Sequence, residues 1–348
     1  MKNRMNISTI SMCATLTAAA LVFSGCAKYK LVAVEDSAAG STIGTTSEAA
    51  SAEVVAASST VTESSAASAQ TDLPTSDIQE SVAEATETVQ PHDDGKLQIV
   101  VLGDSIFDNY RTPTGIASLM RQDLNADVYN MAVAGSTAGL AADNNPDFST
   151  WTIANFIGVS HVLTGDVNAS ILDGHAAAGV LKTFDPAKTD YFIVEFGIND
   201  FLSSIPREPD MAAENMKMYS YRGGLENGIT ALKGKFPDAT VILMTPGYTQ
   251  FWNGGSMIGD CNTIDRGYGR LIDYTATAVN EAQALNIPYI NSYEDVDING
   301  YNASDCLQDG IHPTDEGCRR YADAIEKKIN ELEAEKNGTT ASTAAANN

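Results

Sequence analysis

Ser105, Asp309 and His312 have the side-chain types that carry nucleophilic catalysis. Ser105 follows the apolar run 99–102, and such a run without alternation is typical of a buried parallel strand. A serine hydroxyl is a poor nucleophile until a base removes its proton, and His312 can be that base. Asp309 lies three positions before His312, so one loop can hold the carboxylate beside the imidazole and fix its tautomer. The three residues therefore predict a serine–histidine–aspartate triad.

Attack by a serine on an ester carbonyl also needs hydrogen-bond donors that face the developing oxyanion. The predicted donors are the backbone N–H groups of Ser105 and Gly135 and the side-chain amide of Asn199. Gly135 suits this place because a residue without a Cβ lets the substrate approach the backbone. Losing one such donor typically slows a reaction by about 10²–10³-fold.

These residues must be positioned by the elements between residues 96 and 335, where apolar runs alternate with helical patterns. The predicted strands are 97–102, 128–133, 191–196, 240–244 and 288–291. Predicted helices are 114–124, most of 149–181, 225–235, 270–285 and 314–335. Alternation of strands and helices predicts an α/β domain with a parallel sheet covered on both faces. Ser105, Gly135 and Asn199 each follow a predicted strand, and open α/β sheets bind their ligands at those strand ends.

Four short motifs follow one another in the order of a known family. They are Gly-Asp-Ser at 103–105, a glycine at 135, Gly-Ile-Asn-Asp at 197–200 and Asp-Gly-Ile-His at 309–312. Over about residues 97–333 the sequence resembles the SGNH/GDSL hydrolases. A Gly-x-Ser-x-Gly motif, which the alternative α/β-hydrolase fold requires, is absent from the sequence.

The resemblance implies a flavodoxin-like three-layer α/β/α sandwich with a central parallel five-stranded sheet. It also implies ester hydrolysis without a metal or another cofactor. Ser105, His312 and Asp309 would be the catalytic residues, and Ser105, Gly135 and Asn199 would form the oxyanion hole. Ile106 stands where the family name has leucine, at a position that varies widely in the family.

The amino terminus resembles a bacterial lipoprotein signal peptide over residues 1–26. Lys2 and Arg4 precede the apolar stretch 12–23, which is short for a membrane span. The stretch ends in Leu-Val-Phe-Ser-Gly-Cys, and in lipoproteins this cysteine, here Cys26, is lipidated and becomes the first mature residue. An ordinary secretory signal with an incidental cysteine is the alternative. With lipidation, we expect an extracellular protein anchored to the bacterial cell membrane without spanning it.

The next segment, 27–95, is rich in alanine, serine and threonine, with 12 acidic and no basic residues between 31 and 95. Such a segment cannot bury enough apolar surface to offset its ordering entropy, so it predicts a disordered tether. The hydrolase domain then spans 96–335, and the low-complexity end 336–348 is predicted to be a disordered tail.

The formal net charge of −24 argues against nucleic-acid partners, which need an excess of lysine and arginine. It also disfavours electrostatic docking on an anionic membrane, so membrane contact is expected only through the lipid anchor. The sequence contains no Cys-x-x-Cys or His-Glu-x-x-His motif, so no metal site is predicted. A disulfide between Cys261 and Cys306 is one possibility in an exported protein, and the chain is expected to be a monomer.

Together these patterns favour an exported serine esterase that cleaves O-acyl, most simply O-acetyl, esters on a carbohydrate or cell-wall polymer. Its partner is therefore expected to be a small-molecule or polysaccharide ester. An acyltransferase, a lysophospholipase or a thioesterase with the same triad are the alternatives within this family. A non-catalytic, substrate-binding lipoprotein is the alternative from another class. Four residues are candidates to line the substrate cleft: Arg111, Trp151, Tyr248 and Trp252.

Overall fold

The fold is known from a computed structural model that describes residues 95–209 and 214–346. The predicted signal peptide 1–26, its lipidated Cys26 and nearly all of the predicted tether 27–95 lie outside the described residues. Those three assignments therefore stay predictions.

The described residues form one parallel five-stranded sheet and one antiparallel hairpin. The sheet has the order β2-β1-β3-β4-β7, and the hairpin pairs β5 with β6. The strands are β1 (Gln98–Leu102), β2 (Asp127–Asn130), β3 (Tyr191–Glu195), β4 (Thr240–Met244), β5 (Gln250–Asn253), β6 (Ser256–Asp260) and β7 (Tyr289–Ile290). All five predicted strands exist within a few residues of their expected ends.

The adjacent strands β1 and β3 are buried on both faces, which is why continuous apolar runs in the sequence predicted them. Every residue of β1 and of β3 is buried, and apart from Gln98 at the start of β1 and Glu195 at the end of β3 these residues are apolar or aromatic. The two strands pair in parallel with Ile99 opposite Tyr191 and Leu102 opposite Val194. Their carboxyl ends therefore lie at the same sheet edge, and the residues that follow them are brought together.

Ten α-helices occupy the described residues. They are α1 (Ser105–Asp108), α2 (Ile116–Asp123), α3 (Phe156–Thr164), α4 (Ala176–Val180), α5 (Ile198–Leu202), α6 (Tyr221–Lys235), α7 (Leu271–Ala284), α8 (Ser292–Asp295), α9 (Ala303–Cys306) and α10 (Asp315–Ala346). Short 3₁₀ helices span Phe148–Thr150, Ala169–Leu172, Leu181–Thr183, Pro186–Lys188 and Glu214–Tyr219.

The strand order reverses once, between β1 and β3. The chain steps from β1 to β2 in one direction and then builds β3, β4 and β7 in the other. Because crossovers between parallel strands are right-handed, the two directions place their helices on opposite faces. Accordingly α2 packs with α10, whereas α6 packs with α3 and α7. The predicted three-layer α/β/α sandwich with a parallel five-stranded sheet is confirmed, and its switch point lies between β1 and β3.

The region 149–181 is less continuous than the predicted helix. Helix α3 ends at Gly165, which has φ +90° and donates its backbone N–H to carbonyl groups of the preceding turn. A left-handed glycine of this kind is a common end of a helix, and it breaks the predicted helix into shorter pieces.

The last helix is longer than predicted. It continues past the expected end at Glu335 to Ala346, so helix covers most of the segment 336–348 that was expected to be a disordered tail. Alanine has the highest helix propensity, and 336–346 contains no proline. The low-complexity composition of 336–348 therefore predicted disorder, whereas its alanine content favours the observed helix.

The three cysteines of the domain are free and buried, namely Cys261, Cys306 and Cys318. The possible disulfide between Cys261 and Cys306 is therefore not formed. Burial raises the pKa of the Cys261 thiol to about 11, which keeps it protonated and unreactive. Within residues 95–209 and 214–346, no helix is both long enough and apolar enough to cross a bilayer.

Candidate active site

Ser105 is the first residue of α1, three residues beyond the end of β1. The turn is fixed by Asp104, whose Oδ1 accepts a hydrogen bond of 3.0 Å from the backbone N–H of Ile106. This is the geometry of a helix N-cap, in which an aspartate satisfies one of the first N–H groups of the helix. The Ser105 side chain is therefore held on a rigid turn at the sheet edge, with 8% of the residue exposed.

The predicted triad is assembled in the structure. His312 Nε2 lies 3.0 Å from Ser105 Oγ, and His312 Nδ1 lies 2.7 Å from Asp309 Oδ2. The other oxygen, Asp309 Oδ1, accepts the backbone N–H groups of Ile311 at 3.0 Å and His312 at 2.8 Å. Asp309 thus shapes its own loop and orients the imidazole at the same time, which explains the spacing of three residues.

The charges of this pair support each other. Burial on its own would raise the pKa of Asp309, but hydrogen bonds from the His312 side chain and from the loop backbone lower it to about 2. Burial would lower the pKa of His312, but the hydrogen bond and charge of Asp309, together with the charge of Asp104, raise it above its usual 6.5. The carboxylates of Asp309 and Asp104 therefore favour the protonated, imidazolium form of His312.

Gly135 lies in a loop that is tied to the serine turn. Its φ of +76° is in the left-handed region that favours glycine. On one side, the backbone N–H of Ala134 donates to Asp108 Oδ2 at 2.9 Å. On the other side, Ser136 Oγ donates to the carbonyl of Gly103 at 3.3 Å. These bonds tie the residues on either side of Gly135 to Asp108 and Gly103, which flank Ser105 in sequence.

Asn199, in the first turn of α5, connects the serine turn with the loop that carries Gly135. Its Nδ2 donates to Asp104 Oδ2 and to the carbonyl of Ser136, each at 3.0 Å. The side chain therefore sits between the serine turn and the Gly135 loop. Both of its amide hydrogens face protein acceptors, so binding an oxyanion requires one of these bonds to be shared with the substrate.

Asp200 has a structural role beside Asn199. It is fully buried, and its carboxylate accepts the backbone N–H groups of Ala138 at 2.9 Å and Gly139 at 2.8 Å. Burial raises its pKa to about 7, with these two hydrogen bonds acting in the opposite direction. Asp200 thus anchors the loop that carries Gly135 to the helix that carries Asn199.

Of the four residues suggested for the substrate cleft, Arg111 and Trp252 are exposed. Trp151 is buried, with its indole N–H on the Ile153 carbonyl, and Tyr248 is buried as well. Arg111 binds Asp108 and two backbone carbonyls of the strand β2 region. Trp151 and Tyr248 are therefore part of the packed interior, whereas Arg111 stays a candidate for the cleft.

Trp252 lies on the β5–β6 hairpin, which the sequence patterns did not reveal. The backbone N–H of Gln250 donates to the Gly310 carbonyl at 2.8 Å. The Trp252 ring packs so closely on Gly310 that a Cβ there would lie 2.8 Å from two ring atoms. Trp252 is nevertheless 46% exposed. An aromatic surface thus borders the loop that holds Asp309 and His312.

Two further residues, Asp104 and Glu195, have buried carboxyl groups; Asp104 directly precedes Ser105, and Glu195 lies beside Gly103. Glu195 ends β3, and no sequence pattern marks it, because a glutamate at a strand end is ordinary. In the part of the chain that the structure describes, no group of three histidine, cysteine, aspartate or glutamate side chains could hold a metal ion.

Comparison with known proteins agrees with this geometry. A family model described as GDSL-like lipase/acylhydrolase matches residues 99–325. No curated protein matches the sequence significantly. One solved structure, 18% identical, aligns with 68% of this chain and 97% of its own at a TM-score of 0.50, which indicates a shared fold.

Two named structures are more distant. A lipase/acylhydrolase from Enterococcus faecalis is 19% identical, with 68% of this chain and 96% of that chain covered and a TM-score of 0.41. The acetyl xylan esterase AlAXEase is 15% identical, with 67% and 100% covered and a TM-score of 0.42. On the family match over residues 99–325 and the fold, the chain belongs to the GDSL-like lipase/acylhydrolase family and is an ester-bond hydrolase.

Proposed function

We propose that the protein is a serine esterase that removes O-acetyl groups from a carbohydrate, with Ser105 as nucleophile. The observation that carries the proposal is the continuous hydrogen-bonded chain from Ser105 Oγ through His312 to Asp309. Each member has the partner that its role needs, and the hydroxyl and the imidazole are already at hydrogen-bond distance.

In the first half of the reaction, Ser105 Oγ attacks the carbonyl carbon of the ester while His312 Nε2 accepts the hydroxyl proton. The resulting oxyanion faces the backbone N–H groups of Ser105 and Gly135 and the amide of Asn199. The intermediate collapses when His312 gives its proton to the leaving alcohol oxygen. The products are the free alcohol and an acyl group bound to Ser105.

In the second half, a water molecule attacks the acyl carbon, and His312 again accepts a proton. Collapse of this second intermediate returns the proton to Ser105 Oγ and releases the carboxylic acid. Asp309 keeps Nδ1 of the ring protonated and opposite to Ser105 throughout, so Nε2 is always the atom that exchanges protons. If a second alcohol took the place of water, the same site would catalyse acyl transfer.

The carbohydrate part of the proposal is supported by Trp252. Sugar rings present faces of C–H groups that pack on aromatic rings, while their hydroxyl groups stay in contact with water. Trp252 offers such an exposed ring beside Gly310, in the loop of the proposed catalytic base. We infer that this ring receives the alcohol part of the ester. The expected export of the protein would place the site outside the cell, where acetylated polysaccharides occur.

Replacing Trp252 with alanine is expected to raise KM for an acetylated xylo-oligosaccharide about fivefold, because one aromatic contact contributes about 1 kcal/mol. Trp252→Phe should keep most of the affinity, since it keeps an aromatic face. Neither variant should change kcat/KM for p-nitrophenyl acetate, whose small leaving group does not need the contact. Equal KM values for the wild type and Trp252→Ala on the oligosaccharide would contradict the role of Trp252.

The pH dependence follows from His312, which must be neutral to act as a base. Because its pKa is raised above 6.5, the imidazole is protonated and inactive over a wider acidic range. We expect kcat/KM for p-nitrophenyl acetate to rise with pH, with a midpoint above 6.5, and then to level off. A flat profile between about pH 5 and 8 would exclude His312 as the base.

The proposed function is tested by measuring acetate release from acetylated xylan and from p-nitrophenyl acetate, with Ser105→Ala as the blank. Acetate release from both substrates by the wild type only is the expected result. Activity on the nitrophenyl ester without activity on any acetylated sugar would reject the carbohydrate assignment. Transfer of acetyl groups to added sugar, without free acetate, would show an acyltransferase.

A further inference from the structure

Two carboxyl groups, those of Asp104 and Glu195, are buried side by side beneath the catalytic serine. Asp104 is 0% exposed and Glu195 is 2% exposed. Asp104 directly precedes Ser105, and Glu195 ends β3, the strand that pairs with β1. Glu195 Oε2 lies 3.7 Å from the place of a Cβ on Gly103, the residue before Asp104, and the charge of Asp104 raises the pKa of Glu195. Two adjacent buried carboxyl groups cannot both ionise, so one proton belongs to the pair.

The hydrogen bonds show which residue keeps the negative charge. Asp104 accepts an N–H from Ile106 on one oxygen and from Asn199 on the other, each at 3.0 Å. Both donors favour the carboxylate form of Asp104. Glu195 Oε2 is buried and finds no donor among the described residues. Two ionised carboxylates side by side would repel each other, and neither could donate a hydrogen bond. A proton on Glu195 removes the repulsion and lets Glu195 donate to Asp104.

We propose that Glu195 is a positioning residue that stays protonated and donates a hydrogen bond to ionised Asp104. The pair then carries one negative charge, which lies close enough to His312 to act on it. Asp104 in turn holds the serine turn through Ile106 and the oxyanion residue Asn199 through its amide. This role goes beyond the triad and rests on the proposed function for its kinetic readout.

The surrounding charges favour the same arrangement. Burial is the main cause that raises the pKa of both groups, to about 6 for Asp104 and well above the usual value for Glu195. The charge of Asp104 raises the pKa of Glu195 further, and the nearby charge of Asp200 acts in the same direction. The other titratable groups that interact with the pair are His312, Tyr221 and Tyr321. Of these three, only His312 becomes cationic.

The consequence for catalysis concerns the imidazolium. Asp309 raises the pKa of His312 through a direct hydrogen bond, and Asp104 raises it through its charge. If Glu195 were ionised as well, a third anion would act on the ring. Glu195→Gln therefore distinguishes a protonated from an ionised Glu195. The substitution changes the net charge near His312 only if Glu195 is ionised.

The kinetic test compares Glu195→Ala, Glu195→Gln and Asp104→Asn in kcat/KM profiles against pH with p-nitrophenyl acetate. Glu195→Ala should lower kcat/KM about tenfold, because Asp104 loses a hydrogen bond beneath the serine. Glu195→Gln should restore most of this loss and keep the wild-type midpoint, since its amide also donates to Asp104. Asp104→Asn should move the midpoint to lower pH. A midpoint in Glu195→Gln that shifts as far as in Asp104→Asn would overturn the proposal.

A spectroscopic test does not need a substrate or the alanine variant. A difference infrared spectrum of the wild type minus Glu195→Gln at neutral pH should contain the carbonyl band of a protonated carboxyl group. A carboxylate band in its place would overturn the proposal. Because this readout is independent of turnover, it separates a failure of the Glu195 assignment from a failure of the esterase assignment.

Discussion

Replacing Ser105 with alanine is expected to lower kcat for p-nitrophenyl acetate by about 10⁴-fold or more, while the fold is kept. The reason is that Ser105 Oγ is the atom to which the acyl group is transferred, and no other hydroxyl is proposed to replace it. Its 3.0 Å contact with His312 Nε2 would be lost, but the serine turn is fixed by Asp104 and not by Ser105. Steady-state kinetics together with a thermal melt would measure both effects.

A matched control for this variant is Ser118→Ala. Ser118 lies on α2, is half-buried like many helix residues and is not part of the site. Its variant should have wild-type kinetics, which shows that removing a serine hydroxyl does not by itself damage the enzyme. If Ser105→Ala retained more than about a tenth of the wild-type rate with a normal melt, Ser105 would not be the nucleophile.

Asp309→Asn is expected to lower kcat/KM at neutral pH by about 10³–10⁴-fold. The asparagine can still accept the backbone N–H groups of Ile311 and His312 through its carbonyl oxygen, so the loop should remain. Its amide would, however, donate to His312 Nδ1 and leave the proton on Nε2, facing Ser105. The base would then have no lone pair for the serine proton, and the charge that supports the imidazolium would be lost.

The control for Asp309 is Asp305→Asn, an exposed aspartate four positions earlier in the chain. It removes the same charge from the same region, so it measures any general electrostatic effect on the site. We expect this variant to have nearly wild-type kcat/KM. Equal losses in Asp305→Asn and Asp309→Asn would mean that the regional charge, and not the orientation of His312, causes the effect.

The sequence was sufficient to predict the sheet and the proximity of Ser105, His312 and Asp309, for physical reasons that particular elements show. Parallel strands buried on both faces need continuous apolar runs, as in β1 and β3, so their positions can be read from composition alone. Because both strands end at one edge, the polar residues that follow them had to meet there. The pair Asp309 and His312 could be linked because a separation of three residues keeps both on one loop.

Other parts of the site depend on contacts that no local pattern encodes. The β5–β6 hairpin is mostly exposed, and its contact with the Gly310 loop joins segments about sixty positions apart in sequence. The role of Glu195 depends on complete burial beside Asp104, which composition cannot show. The two hydrogen bonds donated by the Asn199 amide could not be predicted either, because both acceptors, on Asp104 and Ser136, lie far away in sequence.

The central claim is that Ser105 forms a covalent acyl-enzyme. The most direct measurement treats the protein with a fluorophosphonate, which reacts with activated serines, and locates the adduct by peptide mass mapping. One adduct on Ser105, formed in parallel with loss of esterase activity and absent in Ser105→Ala, is the predicted result. Complete loss of activity without an adduct on Ser105, or an adduct on a different residue, would contradict the account.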